Sequence, residues 1–151
     1  MAKAIFACKP AGMKAYGTHL PGNGYTVYDS SGNPHFVNWT ILSKCYVWIK
    51  VSITKYYEEN LPENYSDVIK QNIIEWAKDE YSFGKDIIPN RLNVPIYKCS
   101  GIDSVSISVA VVYNSETTPS PESYVNQRIA ISESFAAIAT AERIEVTLND
   151  Q

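Results

Sequence analysis

The sequence predicts an α+β fold: a two-layer sandwich in which two helices lie on one face of a mainly antiparallel sheet of about three strands. Three segments alternate aliphatic and polar residues with period two, which is typical of half-buried strands. One long segment repeats apolar residues at three- and four-residue steps, which is typical of an amphipathic helix. Strands and helices do not alternate regularly along the chain, so the pattern disfavours a parallel doubly wound sheet.

Length and composition favour an ordinary globular protein. The chain has 151 residues, of which 45% are hydrophobic and 19% are charged, and this length allows one domain with a real core. The net charge of −3 offers no basic face to nucleic acid. No apolar run approaches the roughly 20 residues that a membrane-spanning helix needs. We therefore expect neither a nucleic-acid partner nor a membrane partner.

The N-terminal part predicts a short helix over residues 1–9, a loop over residues 12–24 and then a β-hairpin. The hairpin strands are Tyr25–Asp29 and His35–Ile41, and the SSGNP between them has the residues of a turn. Residues 1–42 are thus interpreted as an N-terminal helix, loop and hairpin, and residues 43–151 as the α/β sandwich core. The alternative is one continuous domain.

Two long strands and a shorter one predict the sheet of the core. Lys44–Thr54 and Ile102–Tyr113 alternate an aliphatic face with a mixed or polar face, and Arg143–Leu148 completes the sheet. Before this last strand, RIAISESFAAIATAE predicts a short extended piece and then a turn or short helix. The sheet face away from the helices is expected to carry Tyr46, Trp48, Lys50, Ser104, Ser106 and Ser108.

Two helices are predicted to cover the aliphatic faces of these strands. Asn64–Phe83 has amphipathic spacing, with Asn64 as the expected N-cap and Gly84 as the expected C-terminal stop. Pro89–Lys98 predicts a shorter helix with a bend or broken end at Pro95. Residues 114–126 predict a polar loop.

The sequence contains no evident catalytic constellation. His19 and His35 are the two histidines, and we expect both to be solvated, with a local pair between His35 and Asp29 as an option. The carboxylates at and around the main helix are expected to lie on its solvent-exposed face and not to act as acids or bases. Three cysteines, odd in number and widely spaced, fit reduced thiols rather than disulfides or a zinc site. We predict no catalytic residue, no cofactor and no metal ligand, and hence no enzyme.

Three stretches and the tail of the chain resemble the C-terminal part of the baseplate J-like family, the wedge proteins of contractile phage tail baseplates. AIFACKPAGMKAYGT resembles the family's helix and Lys-Pro-Ala-Gly segment, and YTVYDSSGNPHFVNWTILSKCYVWIKVSI resembles its hairpin and following strand. GKDIIPNRLNVPIYKCSGIDSVSISVAVV resembles its Pro-Ile and glycine segment with an alternating strand. RIAISESFAAIATAERIEVTL is similar to its closing pattern. At residues 38–41, Asn-Trp-Thr-Ile replaces the family's Phe-x-Arg-Pro type segment.

The resemblance, which covers nearly the whole chain, implies a structural role in a virion. Family members form wedge units that assemble around the tail tube through protein contacts. We therefore expect other baseplate and tail proteins as partners, with a second copy of this chain as a further option. The expected location is the host cytoplasm during assembly and the tail baseplate afterwards. Full-length members usually carry a large additional N-terminal region, so we expect a fragment, a truncated gene or an expressed domain.

Two surfaces are candidate contact sites. The hairpin offers Tyr28, Asp29, His35 and Phe36, and the sheet face away from the helices offers the six residues given above. Exposed aromatic residues of this kind anchor protein partners. Alternatively, the aromatic residues only cover a small sheet, or a further helix or loop lies over the face. A small binding module for glycans is the second functional hypothesis. A tail-associated hydrolase is the third, but the sequence offers no histidine pocket for it.

Overall fold

The computed structural model describes residues 2–9, 17, 25–39 and 42–149. The chain divides into two compact units, Met1–Leu42 and Ser43–Gln151. Some sequence predictions lie outside the described residues. They concern His19, Ile41 and, apart from Gly17, the loop over residues 12–24.

The N-terminal unit contains a short helix and a hairpin. Helix α1 spans Ala2–Cys8, strand β1 spans Tyr25–Tyr28 and strand β2 spans Pro34–Val37. The two strands pair antiparallel, which confirms the predicted hairpin. A small buried cluster stabilises the unit; it consists of Ala2, Val27 and Val37, with Ile5, Phe6 and Trp39 half-buried against it.

The C-terminal unit is a three-stranded sheet with helices on one face, which confirms the predicted α+β class. Its elements are β3 (Ser43–Lys55), α2 (Tyr65–Glu80), a 3₁₀ turn (Pro89–Leu92), α3 (Asn93–Ile96), β4 (Ile102–Val112) and β5 (Phe135–Asn149). Strand β3 lies in the centre, antiparallel to β4 and parallel to β5. The sheet is therefore mixed, with one pairing of each kind, where the sequence predicted a mainly antiparallel one.

One hydrophobic core lies between this sheet and its helices. The aliphatic positions of β3, which were predicted to be buried, are all nearly inaccessible: Cys45, Val47, Ile49, Val51 and Ile53. Helix α2 contributes Ile69, Ile73 and Ala77, the 3₁₀ turn contributes Leu92 and α3 contributes Ile96. Each fully buried Val, Ile or Leu side chain stabilises the fold by about 1.5–3 kcal/mol relative to exposure, so this cluster is the main source of stability.

A crossover segment explains the parallel pairing of β5 with β3. Strand β4 ends, and β5 begins, at the Ser43 end of β3, so residues 113–134 must pass from one edge of the sheet to the other. On the way, Val125 and Val109 exchange two backbone hydrogen bonds of 2.9 and 2.8 Å at the outer edge of β4. Strands β4 and β5 therefore run in opposite directions on the two sides of β3, and β5 enters the sheet parallel to β3.

The ends of the elements differ from the sequence prediction in three places. Helix α2 ends at Glu80, and Asn64 makes no side-chain capping hydrogen bond. Gly84 has a φ of 61°, but it lies in the Ser82–Lys85 turn beyond the helix rather than directly after it. Strand β5 begins at Phe135, where a turn or short helix had been predicted. Pairing with β3 overrides the helix propensity of the alanines there.

Candidate functional site

The hairpin of the N-terminal unit presents one apolar and aromatic face to solvent. Residues directly opposite each other in a strand pair share a face, so Thr26 and Tyr28 of β1 lie on the same side as Phe36 and Pro34 of β2. All four are exposed, with exposed fractions of 68% for Tyr28 and 62% for Phe36. We name these four residues the hairpin outer face.

Asp29 and His35 form a local pair at the turn of the hairpin. Nε2 of His35 lies 3.0 Å from Oδ2 of Asp29, and the backbone N–H groups of Ser31 and Asn33 each donate to Oδ1 at 2.9 Å. The hydrogen bond with His35, followed by that from the Asn33 backbone, lowers the pKa of Asp29 to about 2. These hydrogen bonds connect the carboxylate to the backbone of the turn and to β2, so the pair stabilises the turn.

The outer sheet face, which is the side of β3, β4 and β5 away from the helices, is polar over part of its length. Ser104 and Ser106 are exposed and Ser108 is half-buried. Lys50 lies in register between Ser108 and Glu145, and its Nζ is 3.6 Å from a carboxylate oxygen of Glu145. The serines lie on the face that the alternation of β4 predicted, and the Lys50–Glu145 pair beside them was not predicted.

The aromatic part of the outer sheet face is partly covered. Tyr46 and Trp48 are half-buried. The guanidinium of Arg143 lies 4.6 Å from the centre of the Tyr46 ring and 5.6 Å from the centre of the Trp48 ring. It donates hydrogen bonds to Oγ1 of Thr140 at 3.0 Å and to the carbonyl of Ser115 at 2.9 Å. Here a side chain of β5, tied to the crossover segment, lies over predicted contact residues.

A bulge in β5 opens a cavity beside these rings. The pairing of β3 with β5 jumps from Val47 opposite Ala139 to Ile49 opposite Ile144, so residues 140–143 bulge out of the ladder. The cavity has a volume of about 470 Å³, a size typical of small-molecule sites. Its walls come from β3, α2, the crossover segment and β5, and they include Trp48, Lys50, Lys70, Pro121, Tyr124 and Arg143.

Sequence reasoning missed Arg143 and Tyr124 as residues of this region. Nζ of Lys50 lies 4.5 Å from the centre of the Tyr124 ring. Burial, and to a lesser degree the charge of Glu145, raises the pKa of Tyr124, so the phenol stays neutral beside the lysine. Both missed residues reach Trp48 and Lys50 only through the crossover and the bulge. An arginine as the first residue of the predicted strand Arg143–Leu148 was the local signal.

The thiols and the acidic residues form no reactive cluster in the part of the chain that the structure describes. Cys45 and Cys99 are buried, and burial raises the pKa of both thiols, which disfavours a nucleophilic thiolate. Cys8 is exposed and, like the other two, free of disulfides. Glu80 at the end of α2 pairs with Arg91. Over residues 2–9, 17, 25–39 and 42–149, no group of three or more His, Cys, Asp or Glu could hold a metal ion.

Comparisons with known proteins do not place the chain in a family. No family model matches it, and no curated protein matches it. Among the helices that the structure describes, none is long and apolar enough to cross a membrane.

Proposed function

We propose that this chain is a structural component of a phage or prophage tail baseplate, a wedge part that acts through protein–protein contacts and not as an enzyme. The hairpin outer face carries the proposal, because Tyr28 and Phe36 expose large aromatic surfaces beside Pro34. Exposed apolar patches commonly mark interaction sites, and aromatic residues are enriched in protein interfaces. The stretches that resemble the baseplate J-like family suggest the assembly in which this contact is made.

The proposed partners are other baseplate and tail proteins, with a second copy of the chain as a further option. The protein joins them in the host cytoplasm and remains in the virion tail, without a cofactor. Ser104 and Ser106, exposed on the outer sheet face, offer a second, polar contact surface. Genes for tail sheath, tube and spike proteins are expected next to the gene for this chain.

Tail assembly in a producing strain tests the proposal. We expect the double variant Tyr28→Ala/Phe36→Ala to fold normally but to yield few complete tails in electron micrographs. Each lost aromatic anchor weakens a protein interface by about 2 kcal/mol or more. The matched control is Tyr57→Ala, because Tyr57 is 83% exposed and lies in the C-terminal unit; its tails should be normal. Normal tails from the folded double variant, or from a strain without the gene, would refute the proposal.

Glycan binding is a second candidate function, favoured by a depression in the N-terminal unit. Tyr25 and Trp39, together with Ala2 and Lys3, line a depression of about 320 Å³, and concave sites with aromatic walls suit small ligands. Titration with neutral oligosaccharides, followed by the indole N–H signal of Trp39 in NMR spectra, tests this candidate. A shift that disappears in Tyr25→Ala supports it. No shift at millimolar sugar rejects it and leaves the baseplate proposal standing.

A further inference from the structure

We propose that the cavity at the bulge of β5, which we name the bulge cavity, binds a small organic carboxylate. This inference goes beyond the baseplate proposal and holds whether or not the chain is part of a tail. The volume of about 470 Å³ is sufficient for a molecule of one or two rings. Its walls come from four separate parts of the C-terminal unit, so the folded structure builds the site.

The bulge cavity carries an excess of positive charge in a protein whose net charge is −3. Its lining contains Lys50, Lys70 and Arg143 together with Glu142 and Glu145. Lys50 pairs with Glu145 at 3.6 Å. Within the described part of the chain, Lys70 and Arg143 have no carboxylate within 4.0 Å. Apart from the Lys50–Glu145 pair, the lining contains two cations, Lys70 and Arg143, and one carboxylate, Glu142. This excess of one positive charge balances one carboxylate group of a ligand.

Aromatic rings hold two of these cations in place. Arg143 lies over the rings of Tyr46 and Trp48, and Lys50 lies over the ring of Tyr124. Nη1 and Nη2 of Arg143 each donate one hydrogen bond within the protein, which leaves one N–H on each nitrogen for a ligand. A guanidinium fixed in this way loses little side-chain freedom when it binds a carboxylate with two parallel hydrogen bonds.

Two buried donors beside the bulge cavity lack an acceptor among the described residues. Nε of Arg143 and Nε1 of Trp48 are buried and have no hydrogen-bond partner among the described residues. Unpaired donor dipoles add to the positive potential of the wall, so a ligand that brings acceptors and negative charge is favoured. Pro119 and Pro121 also line the cavity, and their rings provide an apolar surface for the organic part of the ligand.

A carboxylate fits the bulge cavity better than a phosphate dianion does. Glu142 and Glu145 lie in the same lining, and a dianion would meet repulsion from both of them. One negative charge, in contrast, is balanced by the cations that lack a carboxylate partner. The bulge cavity therefore favours ligands that carry a single carboxylate group.

Titration of the ¹⁵N-labelled chain, followed by NMR, tests the proposal. The probes are glucuronate and benzoate, which carry one carboxylate on a polar and on an apolar ring, respectively. Glucose and inorganic phosphate serve as comparisons. We expect one of the two carboxylates to shift the indole N–H of Trp48 and the Nε–H of Arg143 at concentrations about tenfold lower than either comparison requires. The carboxylate that binds with the higher affinity shows whether the cavity prefers a polar or an apolar ring.

Charge-removing variants show where the carboxylate binds. Arg143→Gln should weaken binding about tenfold, and Lys70→Gln about threefold. The matched control is Lys78→Gln, since Lys78 is an exposed lysine of helix α2, which also carries Lys70. The affinity of this variant for the carboxylate should equal that of the unmodified chain. If Arg143→Gln does not fold, the comparison of Lys70→Gln with Lys78→Gln decides. No shift with either carboxylate, equal or tighter binding of phosphate or glucose, or unchanged affinity in Lys70→Gln would overturn the proposal.

Discussion

Replacement of Ile49 by alanine is the most direct test of how the sheet is oriented. Ile49 is 1% exposed in the central strand and lies between Val109 of β4 and Ile144 of β5, both buried. The substitution removes three carbons, and at about 0.8 kcal/mol for each buried CH₂ the lost burial costs roughly 2.4 kcal/mol. Because β3 is paired on both sides, the backbone cannot close the gap. The cavity that remains raises the expected loss to about 3–4 kcal/mol, within the usual range for such substitutions.

Thermal and urea denaturation, followed by circular dichroism, measure this loss. We expect the midpoint of thermal unfolding to fall by about 10 °C or more, with an unchanged urea m-value if unfolding stays two-state. The matched control is Ser106→Ala, because Ser106 is exposed on the opposite face of the same sheet. Its stability should change by less than about 0.5 kcal/mol.

Two results would refute the assignment of the sheet faces. One is a loss below about 1 kcal/mol for Ile49→Ala, which would be too small for a buried isoleucine. The other is an equal loss for Ile49→Ala and Ser106→Ala. Ile107→Ala in β4 provides an independent check, since Ile107 is also buried and its truncation should cost about 2–5 kcal/mol.

Three further predictions concern a hydroxyl, a glycine and a carboxylate. Tyr81→Phe should raise the free energy of unfolding by about 1 kcal/mol, because the buried Tyr81 hydroxyl has no hydrogen-bond partner among the described residues; lower stability in urea would contradict this. Gly101→Ala should cost about 2–4 kcal/mol, since φ is +79° and the added Cβ would lie 2.8 Å from the nitrogen of Leu61. Gly32 has a similar φ of +81° but open space around its Cβ position, so Gly32→Ala should cost only about 1 kcal/mol. Equal losses of stability in the two variants would show that Gly101→Ala causes no clash. The pKa of Asp29 is lowered from 3.8 to about 2. The ionised carboxylate therefore stabilises the hairpin turn fully above pH 3.8, and this stabilisation is lost as the pH falls towards 2. Amide NMR signals of the turn should follow this transition in the unmodified chain and not in Asp29→Asn.

The sheet could be predicted because its signal is local. In a pleated strand next to a core, side chains must alternate between the two faces, and the segment from Ser104 to Val109 shows this without reference to any distant residue. The hairpin could be predicted in the same way, because turn residues separate two short strand segments. Its outer face was not predicted: the sequence indicated Tyr28, Asp29, His35 and Phe36 as contact residues near the tip, and only the observed register places Tyr28 and Phe36 on one side.

The bulge cavity and the parallel pairing could not be predicted, because both depend on contacts between distant parts of the chain. Residues 135–142 are rich in alanine and carry no strand signal of their own; they become a strand by pairing with β3. Arg143 looked like the first residue of the last strand, whereas it closes the bulge and lies over Tyr46 and Trp48. Periodicity gives the face of a residue within its own element, but not which loop crosses that face.

The central place of β3 in the sheet has a consequence for synthesis of the protein. Both neighbours of β3 follow it in the chain, and the hydroxyls of Ser52 and Thr147, which meet at 2.9 Å, are 95 residues apart. Contacts at such separations form slowly, because a long stretch of chain has to be closed first. On the ribosome, the two backbone edges of β3 therefore stay unpaired until β4 and β5 have emerged. During that time, chaperones and neighbouring nascent copies compete for these open strand edges.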